Sequence, residues 1–296
     1  MVYDVIIIGG SYAGLSAGLQ LARARRRVLV MDAGERRNRF GSLSHGFLTQ
    51  DGVAAADIAA KGRAQLMAYD TVDWLPARVD RAQRHAEGFD VTDDQGRSHF
   101  ARLLILASGV VDELPAIPGL AERWGKQVFH CPYCHGYELN RGRIGVLAST
   151  PLSMHHALML PDWGETTLLL NGSFEPDSAQ RSQLQTRGVT LEEGQVKRLE
   201  GSALTVVMSD DRALSFDGLF VATRLHVSPL AKQLGCALEE WPLGVFIRTD
   251  ATQATSVPGV FVCGDTARAA GNVALAVGDG ALAGAAAHRA LMFGLG

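Results

Sequence analysis

Cysteine is scarce: there are four in 296 residues, at 131, 134, 236 and 263, and only the first two are close in sequence. That excludes the dense disulfide framework by which small secreted chains offset a thin core. Long apolar runs are missing too. No stretch of 18 apolar residues occurs, and the Ala/Gly-rich C-terminal segment is interrupted by Asp279, His288 and Arg289, so nothing reads as membrane-spanning. Neither sign of charge dominates, and a net charge of −3 gives no global pull toward nucleic acid or an anionic membrane. A basic n-region and a cleavage site are absent as well. Met1-Val2-Tyr3-Asp4-Val5 enters a strand at once, so a cytoplasmic location is expected. What is left is a chain too long for one ordinary domain, 47% hydrophobic and 20% charged, with 33 glycines. Two globular domains rich in tight βα turns fit those numbers.

The N-terminal run Val5-Ile6-Ile7-Ile8 reads as a strand buried on both faces. Gly9-Gly10-Ser11-Tyr12-Ala13-Gly14 follows, then a helix pattern through Leu15, Leu19 and Leu21, then a second strand, Val28 to Met31, ending at Asp32. This is a βαβ dinucleotide unit. Gly9 permits the tight turn, Gly14 permits close helix–strand packing, and the helix N-terminus can hold a pyrophosphate. The middle glycine of the usual G-x-G-x-x-G is Ser11 here. A carboxylate at Asp32 can accept from a ribose diol and would repel a 2′-phosphate, which favours FAD or NAD over NADP. Arg23, Arg25, Arg26 and Arg27 read as cations at a helix C-terminus. Arg36, Arg37 and Arg39 lie just past Asp32, where an adenosine would sit. Further on, Phe89 to Thr92 and His99 to Ala101 flank the turn Asp93-Asp94-Gln95-Gly96 as a hairpin. Leu103 to Leu106 reads as another buried strand, ending in Ala107-Ser108-Gly109. Pro115 and Pro118-Gly119 then break the pattern, and the first domain crossing is expected there.

The middle segment repeats this order. A strand at Ile144 to Leu147 precedes a helix pattern through Leu152, His156 and Leu160. A strand at Thr166 to Leu170, alternating stretches at Leu204 to Met208, and Leu219 to Val221 follow. The repeat predicts an α/β protein with two Rossmann-like three-layer dinucleotide-binding domains, the second inserted into the first. The expected boundaries are 1–112 with 247–296 for one domain and 113–246 for the other. The second copy has lost its fingerprint: Ala148-Ser149-Thr150-Pro151-Leu152-Ser153 contains no glycine, and no arginine pair follows Asn171-Gly172-Ser173-Phe174-Glu175. That speaks against tight NADPH binding. His155 and His156 read as a polar helix face, Cys263 as core, and Cys236 as structural or exposed.

Between the two units stands Cys131-Pro132-Tyr133-Cys134-His135-Gly136-Tyr137-Glu138. Two cysteines three apart can close a small disulfide ring and open it again. The thiolate is the reactive form, and an adjacent His135 can lower the thiol pKa and carry the proton. An ordinary imidazole titrates near pH ~6.5, which suits such a relay. C-x-x-C-H is also a c-type haem attachment signal, but that goes with export and a haem domain. A zinc site would need a second ligand pair, and no second CxxC exists, so no metal is expected.

Together the GGSYAG turn with Asp32, the central CPYC and the C-terminal Val260-Phe261-Val262-Cys263-Gly264-Asp265 followed by Gly271-Asn272-Val273-Ala274 resemble the low-molecular-weight thioredoxin reductase family of FAD-linked disulfide oxidoreductases. The resemblance covers essentially the whole chain. It implies that Gly9, Ser11, Tyr12, Ala13 and Gly14 hold the FAD pyrophosphate and Asp32 the adenosine ribose. Gly264 would contact the cofactor and Asp265 would bind the ribityl chain, Asn272, Val273 and Ala274 would approach the flavin ring, and Asp51 would lie near its other polar edge. Ala33, Arg39, His45, Val79, Ala107 and Gly109 complete the implied cofactor contacts. Cys134 would face the flavin, Cys131 would exchange with substrate, and His135 stands where the reductases carry an acid/base aspartate. His135, the CHGYE continuation and the missing nucleotide fingerprint are more similar to the gliotoxin- and holomycin-type dithiol oxidases. The implied function is FAD-dependent oxidation of a small dithiol, with oxygen or another acceptor, in a homodimer. One alternative is an NADPH-dependent reductase of a thioredoxin-like protein, and another is a non-enzymatic flavin-bearing redox sensor.

Overall fold

A computed structural model describes residues 2–294. Its chain divides into two compact units: one takes the chain up to Arg39, Phe47–Val111 and everything from Leu225, and the other takes Phe40–Gly46 and Asp112–Arg224. Residues 225–246, expected in the inserted domain, cluster with the first unit. Leu225 and Phe246 pack there on Val110.

The first unit is built on β1 (Val2–Ile8), α1 (Tyr12–Arg23) and β2 (Val28–Met31). β1 and β2 are parallel, with Val5 opposite Val28 and Ile8 opposite Met31. Val5–Ile8 is apolar at every position because both of its faces are covered. Val5 and Ile7 share a core with Leu15 and Leu21 of α1 and with Leu66 of α2 (Ala55–Met67). Ile6 and Ile8 belong to a second core with Leu230 and Leu234. Each such burial is worth about 1.5–3 kcal/mol relative to exposure. β3 (Val72–Leu75), β4 (Val79–His85), β5 (Gly88–Asp93) and β6 (Ser98–Leu106) complete the order β3-β2-β1-β6-β5-β4.

The stretches His99–Ala101 and Leu103–Leu106, expected as two strands, are one continuous β6. Its first half pairs antiparallel with β5, Phe89 opposite Ala101. Its second half lies between β1 and Val260–Val262, parallel to both. Alternation stops after Arg102 because the second half is buried on both faces, so the pattern changes while the backbone does not.

The second unit repeats the plan. Its parallel sheet contains β7 (Val128–Phe129), β8 (Arg141–Leu147), β9 (Gly164–Leu169) and β10 (Thr190–Glu192). α3 (Pro132–His135) links β7 to β8, α4 (Ser153–Met159) links β8 to β9, and α5 (Ser178–Thr186) links β9 to β10. An antiparallel sheet of β11 (Val196–Glu200), β12 (Thr205–Met208) and β13 (Ala213–Ser215) precedes β14 (Gly218–Val221), which enters the parallel sheet between β7 and β8. Ile144, Val146 and Phe220 share a core with Met154 of α4 and Leu184 of α5. Leu147, Leu219 and Val221 share another with Val206 and Met208 of the antiparallel sheet. The result is three layers: helices, parallel sheet, antiparallel sheet.

The chain ends with β15 (Val260–Val262), a 3-10 turn at Gly264–Ala267 and α6 (Val273–Phe293). α6 lies tight against α1: a β-carbon on Gly280 would stand 2.1 Å from the Ala13 carbonyl oxygen. Among the described residues no helix is long and apolar enough to cross a membrane.

Candidate active site

The redox turn lies in the second unit. Cys131 is extended and forms the N-cap of α3, and Pro132 occupies the first helical position, for which its ring fixes φ in advance. One short turn returns Cys134 to within 5.3 Å Cα–Cα of Cys131, and the two are joined by a disulfide with an S–S distance of 2.04 Å. Both cysteines are half-buried, and Tyr133 between them is 74% exposed, edge-on to Trp163. His135 follows at once. Its ring stacks on Phe129 at 4.3 Å. Burial pushes this imidazole below the ordinary histidine range, the Glu138 carboxylate pulls it back up, and His45 pushes it further down. Glu138 sits in the next 3-10 turn, Tyr137–Leu139, and His45 Nε2 lies 3.4 Å from its Oε1. A further histidine reaches the turn from α4. The His156 imidazole hydrogen-bonds the His130 main chain, next to Cys131, while its Nδ1 is buried without a hydrogen-bond partner. Burial lowers its pKa to about 4.

The first unit holds the dinucleotide turn. Gly9 has φ +105°, and a β-carbon there would stand 2.3 Å from the Ala107 carbonyl oxygen, so only glycine lets this turn pass the end of β6. A β-carbon on Gly14 would stand 1.9 Å from the Gly9 carbonyl oxygen, so α1 can start directly on the turn. Ser11 is the N-cap of α1, but its side chain makes no capping bond, which leaves the first amides directed at whatever sits above them. Asp32 Oδ1 accepts from Gly10 N at 3.0 Å. Gly264 comes up against Ala13, so the end of β15 meets the N-terminal turn. Asp265 is ion-paired to Arg37 at 3.0 Å. Asn272 caps α6 by accepting from Leu275 N at 2.8 Å, so Val273 and Ala274 open that helix.

The corresponding turn of the second unit is closed by its own side chains. Ser149 N donates to Ser153 Oγ at 3.1 Å, Ser149 Oγ donates to the Ala222 carbonyl at 2.6 Å, and Leu152 N donates to Thr150 Oγ1 at 3.3 Å. The amides that would meet a pyrophosphate at α4 are already engaged.

Residues 3–280 match the profile of the family described as pyridine nucleotide-disulphide oxidoreductase. The chain belongs to that family. Thioredoxin reductase tcpT of Claviceps purpurea is 34% identical, over 98% of this chain and 95% of its own. Among solved structures, an oxidoreductase from Agrobacterium tumefaciens is 55% identical with a TM-score of 0.96, covering 99% of each chain. HlmI is 37% identical with a TM-score of 0.92, covering 98% of this chain and 92% of its own. The chain is therefore a thioredoxin reductase-like disulfide oxidoreductase, an enzyme with a CxxC disulfide at Cys131 and Cys134.

Within this family member the expected cofactor residues fall in different places. Gly9, Ser11, Ala13, Gly14, Asp32, Ala107, Gly264 and Asp265 gather around the turn at the end of β1. Tyr12 is buried, its hydroxyl donating to the Ala55 carbonyl and accepting from Asn38, so its side chain ties α1 to neighbouring loops. Ala33 follows Asp32, Arg39 bonds the Arg36 carbonyl at 2.8 Å, Val79 opens β4, Gly109 follows β6 with φ +64°, and Asp51 sits in an exposed turn. His45 falls in the second unit, beside Glu138.

One expectation from sequence is corrected, and the two remaining cysteines take the structural places open to them. His156 is not on a polar face: only His155 is exposed, because the turn of α4 that carries His156 packs toward β14 and Phe220. Cys236 is buried, with Sγ 3.7 Å from Thr255 Oγ1, and burial raises its thiol pKa. Cys263 is fully buried, and its thiol is pushed up strongly. Sequence reasoning gave Glu138 and Asp279 no role of their own, and it placed Arg37 near an adenosine without its pairing to Asp265. Asp279, 4% exposed on α6, binds Arg268 at 2.6 Å and the Gly264 amide, and burial raises its carboxyl pKa against the pull of Arg268. The spacing of Glu138, three after His135 in a helical run, was the one signal available.

Proposed function

We propose that the protein is an FAD-dependent oxidoreductase that oxidises a small dithiol. The observation that carries the proposal is the Cys131–Cys134 disulfide with His135 beside it, in a unit whose own nucleotide turn is capped by Ser149, Thr150 and Ser153. A substrate thiolate attacks Cys131 Sγ, and the bond to Cys134 breaks, releasing Cys134 as a thiolate. A second substrate thiol then attacks the substrate sulfur of the mixed disulfide. Cys131 leaves as a thiolate, and the product departs as a disulfide. His135 takes and returns the protons of these exchanges. The chemistry FAD supplies when bound is two-electron acceptance, with oxygen or another acceptor taking those electrons on.

The residues of the first unit fit FAD. The Gly9–Gly14 turn presents uncapped helix amides for a pyrophosphate, Asp32 suits a ribose diol, and Thr266 Oγ1 is buried without a partner beside Asp265. The boundaries of this FAD domain follow the first unit, and the redox domain follows the second. The reading includes a cytoplasmic homodimer, and exposed Leu282, Met292 and Phe293 on α6 offer it apolar surface. NADPH is not the donor in this reading.

The test is anaerobic flavin absorbance near ~450 nm after mixing with a small dithiol, then separately with NADPH. Bleaching by dithiol alone, with colour returning in air, is expected. Rapid bleaching by NADPH would favour a second reading, an NADPH-driven reductase of a thioredoxin-like protein, which the name of the Claviceps relative supports. Stable reduction without turnover on any thiol would leave a flavin-bearing redox sensor. A Cys134→Ser variant that turned over dithiol at the wild-type rate would overturn the relay.

A further inference from the structure

We propose that Glu138, held by His45, is a positioning residue for His135: it keeps a carboxylate beside the imidazole so that His135 holds a proton while a cysteine of the redox pair is a thiolate. The proposal rests on the thiol–disulfide reading above and adds two residues to it. Gly136 has helical backbone angles, so α3 runs directly into the Tyr137–Leu139 turn, and Glu138 stands three residues after His135 on the same face. His45 arrives from the Phe40–Gly46 segment, which clusters with the second unit, and its Nε2 is 3.4 Å from Glu138 Oε1. Phe129 covers one face of the His135 ring and carries no charge. The titratable groups acting on His135 are thus Glu138 and His45, with opposite effects. Without a carboxylate nearby, a ring in this half-buried stack is driven neutral. In the exchange, the S–H bond of a cysteine breaks as an N–H bond forms on His135, and no oxidation state changes in that proton transfer.

The full-length protein is reduced and freed of reductant under anaerobic conditions. The His135 Cε1 proton is then titrated by NMR, alongside the pH dependence of iodoacetamide alkylation of the redox thiols. Glu138→Gln is expected to lower the His135 midpoint by about half a pH unit and to slow alkylation near neutral pH about two- to threefold. His45→Gln keeps a donor for Glu138 but removes the ring that pushes His135 down, so its midpoint is expected at or slightly above that of the wild type, whereas His45→Ala also releases Glu138 and is expected to titrate below His45→Gln. An unchanged midpoint in Glu138→Gln, or equal behaviour of His45→Gln and His45→Ala, would overturn the proposal. Glu138 is 43% exposed at its side chain, so the amide variant is expected to fold. The titration needs no substrate and no turnover, so it can fail while the dithiol assay succeeds, and the reverse.

Discussion

Acid should weaken the second unit through His156. Its imidazole is held neutral, with one nitrogen on the His130 main chain and the other buried without a partner. An ordinary histidine in the unfolded chain titrates near ~6.5. The folded group is depressed to about 4. Between these values the unfolded chain binds more protons than the folded one, so stability rises with pH. The contribution is fully present above the unfolded pKa and is lost as pH falls through the folded one. A gap of about 2.5 units corresponds to a ceiling of about 3 kcal/mol, of which about 2 kcal/mol is gone by pH ~5. His156→Gln retains an amide donor for His130 and removes the titration. Native-state hydrogen exchange of the β8 amides, Arg141–Leu147, reads the opening free energy of this unit. The wild type should lose about 2 kcal/mol more than the variant between pH ~7.5 and pH ~5. Equal acid losses in the two proteins, or an NMR midpoint for His156 near ~6.5, would show that His156 is not held neutral by the fold.

Other substitutions test the remaining sites. Gly14→Ala places a methyl 1.9 Å from the Gly9 carbonyl, and it should abolish flavin retention on gel filtration while the second unit keeps its exchange protection. Asp279→Ala strips Arg268 and the Gly264 amide of their buried partner and should cost about 2–3 kcal/mol, read as a lowered unfolding midpoint. Asp32→Asn keeps an acceptor for Gly10 but loses the charge, and should raise the FAD dissociation constant roughly tenfold by fluorescence titration. Cys131→Ser should leave Cys134 unable to exchange with dithiol, so the dithiol no longer bleaches the flavin.

Both dinucleotide units and the redox turn were legible because each is encoded locally. β1, the glycine turn and β2 are contiguous, and CPYCH is five residues. The break in alternation within β6 was not legible as one strand, because its two halves answer to different neighbours, one nearby in sequence and one at Val260–Val262. His156 looked like a surface residue because its burial depends on β14 and on the His130 main chain, neither of which its own helix pattern reports. Arg37 and Asp265 lie 228 residues apart, and nothing in either neighbourhood announces the other. The role of His45 was drawn from resemblance, while its placement beside Glu138 is a tertiary fact.

The divided neighbours of β6 bear on how the chain is made. The second unit draws almost all of its residues from one uninterrupted stretch, Asp112–Arg224, so it can close as soon as that stretch leaves the ribosome. The first unit cannot. Its sheet lacks β15, and α1 lacks α6, until residues 260–293 are synthesised. Nascent β1, β2 and β6 must therefore wait with one apolar face uncovered while the inserted unit folds ahead of them. Premature termination after Arg224 would leave a folded redox unit tethered to a sticky, incomplete sheet, the kind of product that chaperones retain and proteases remove.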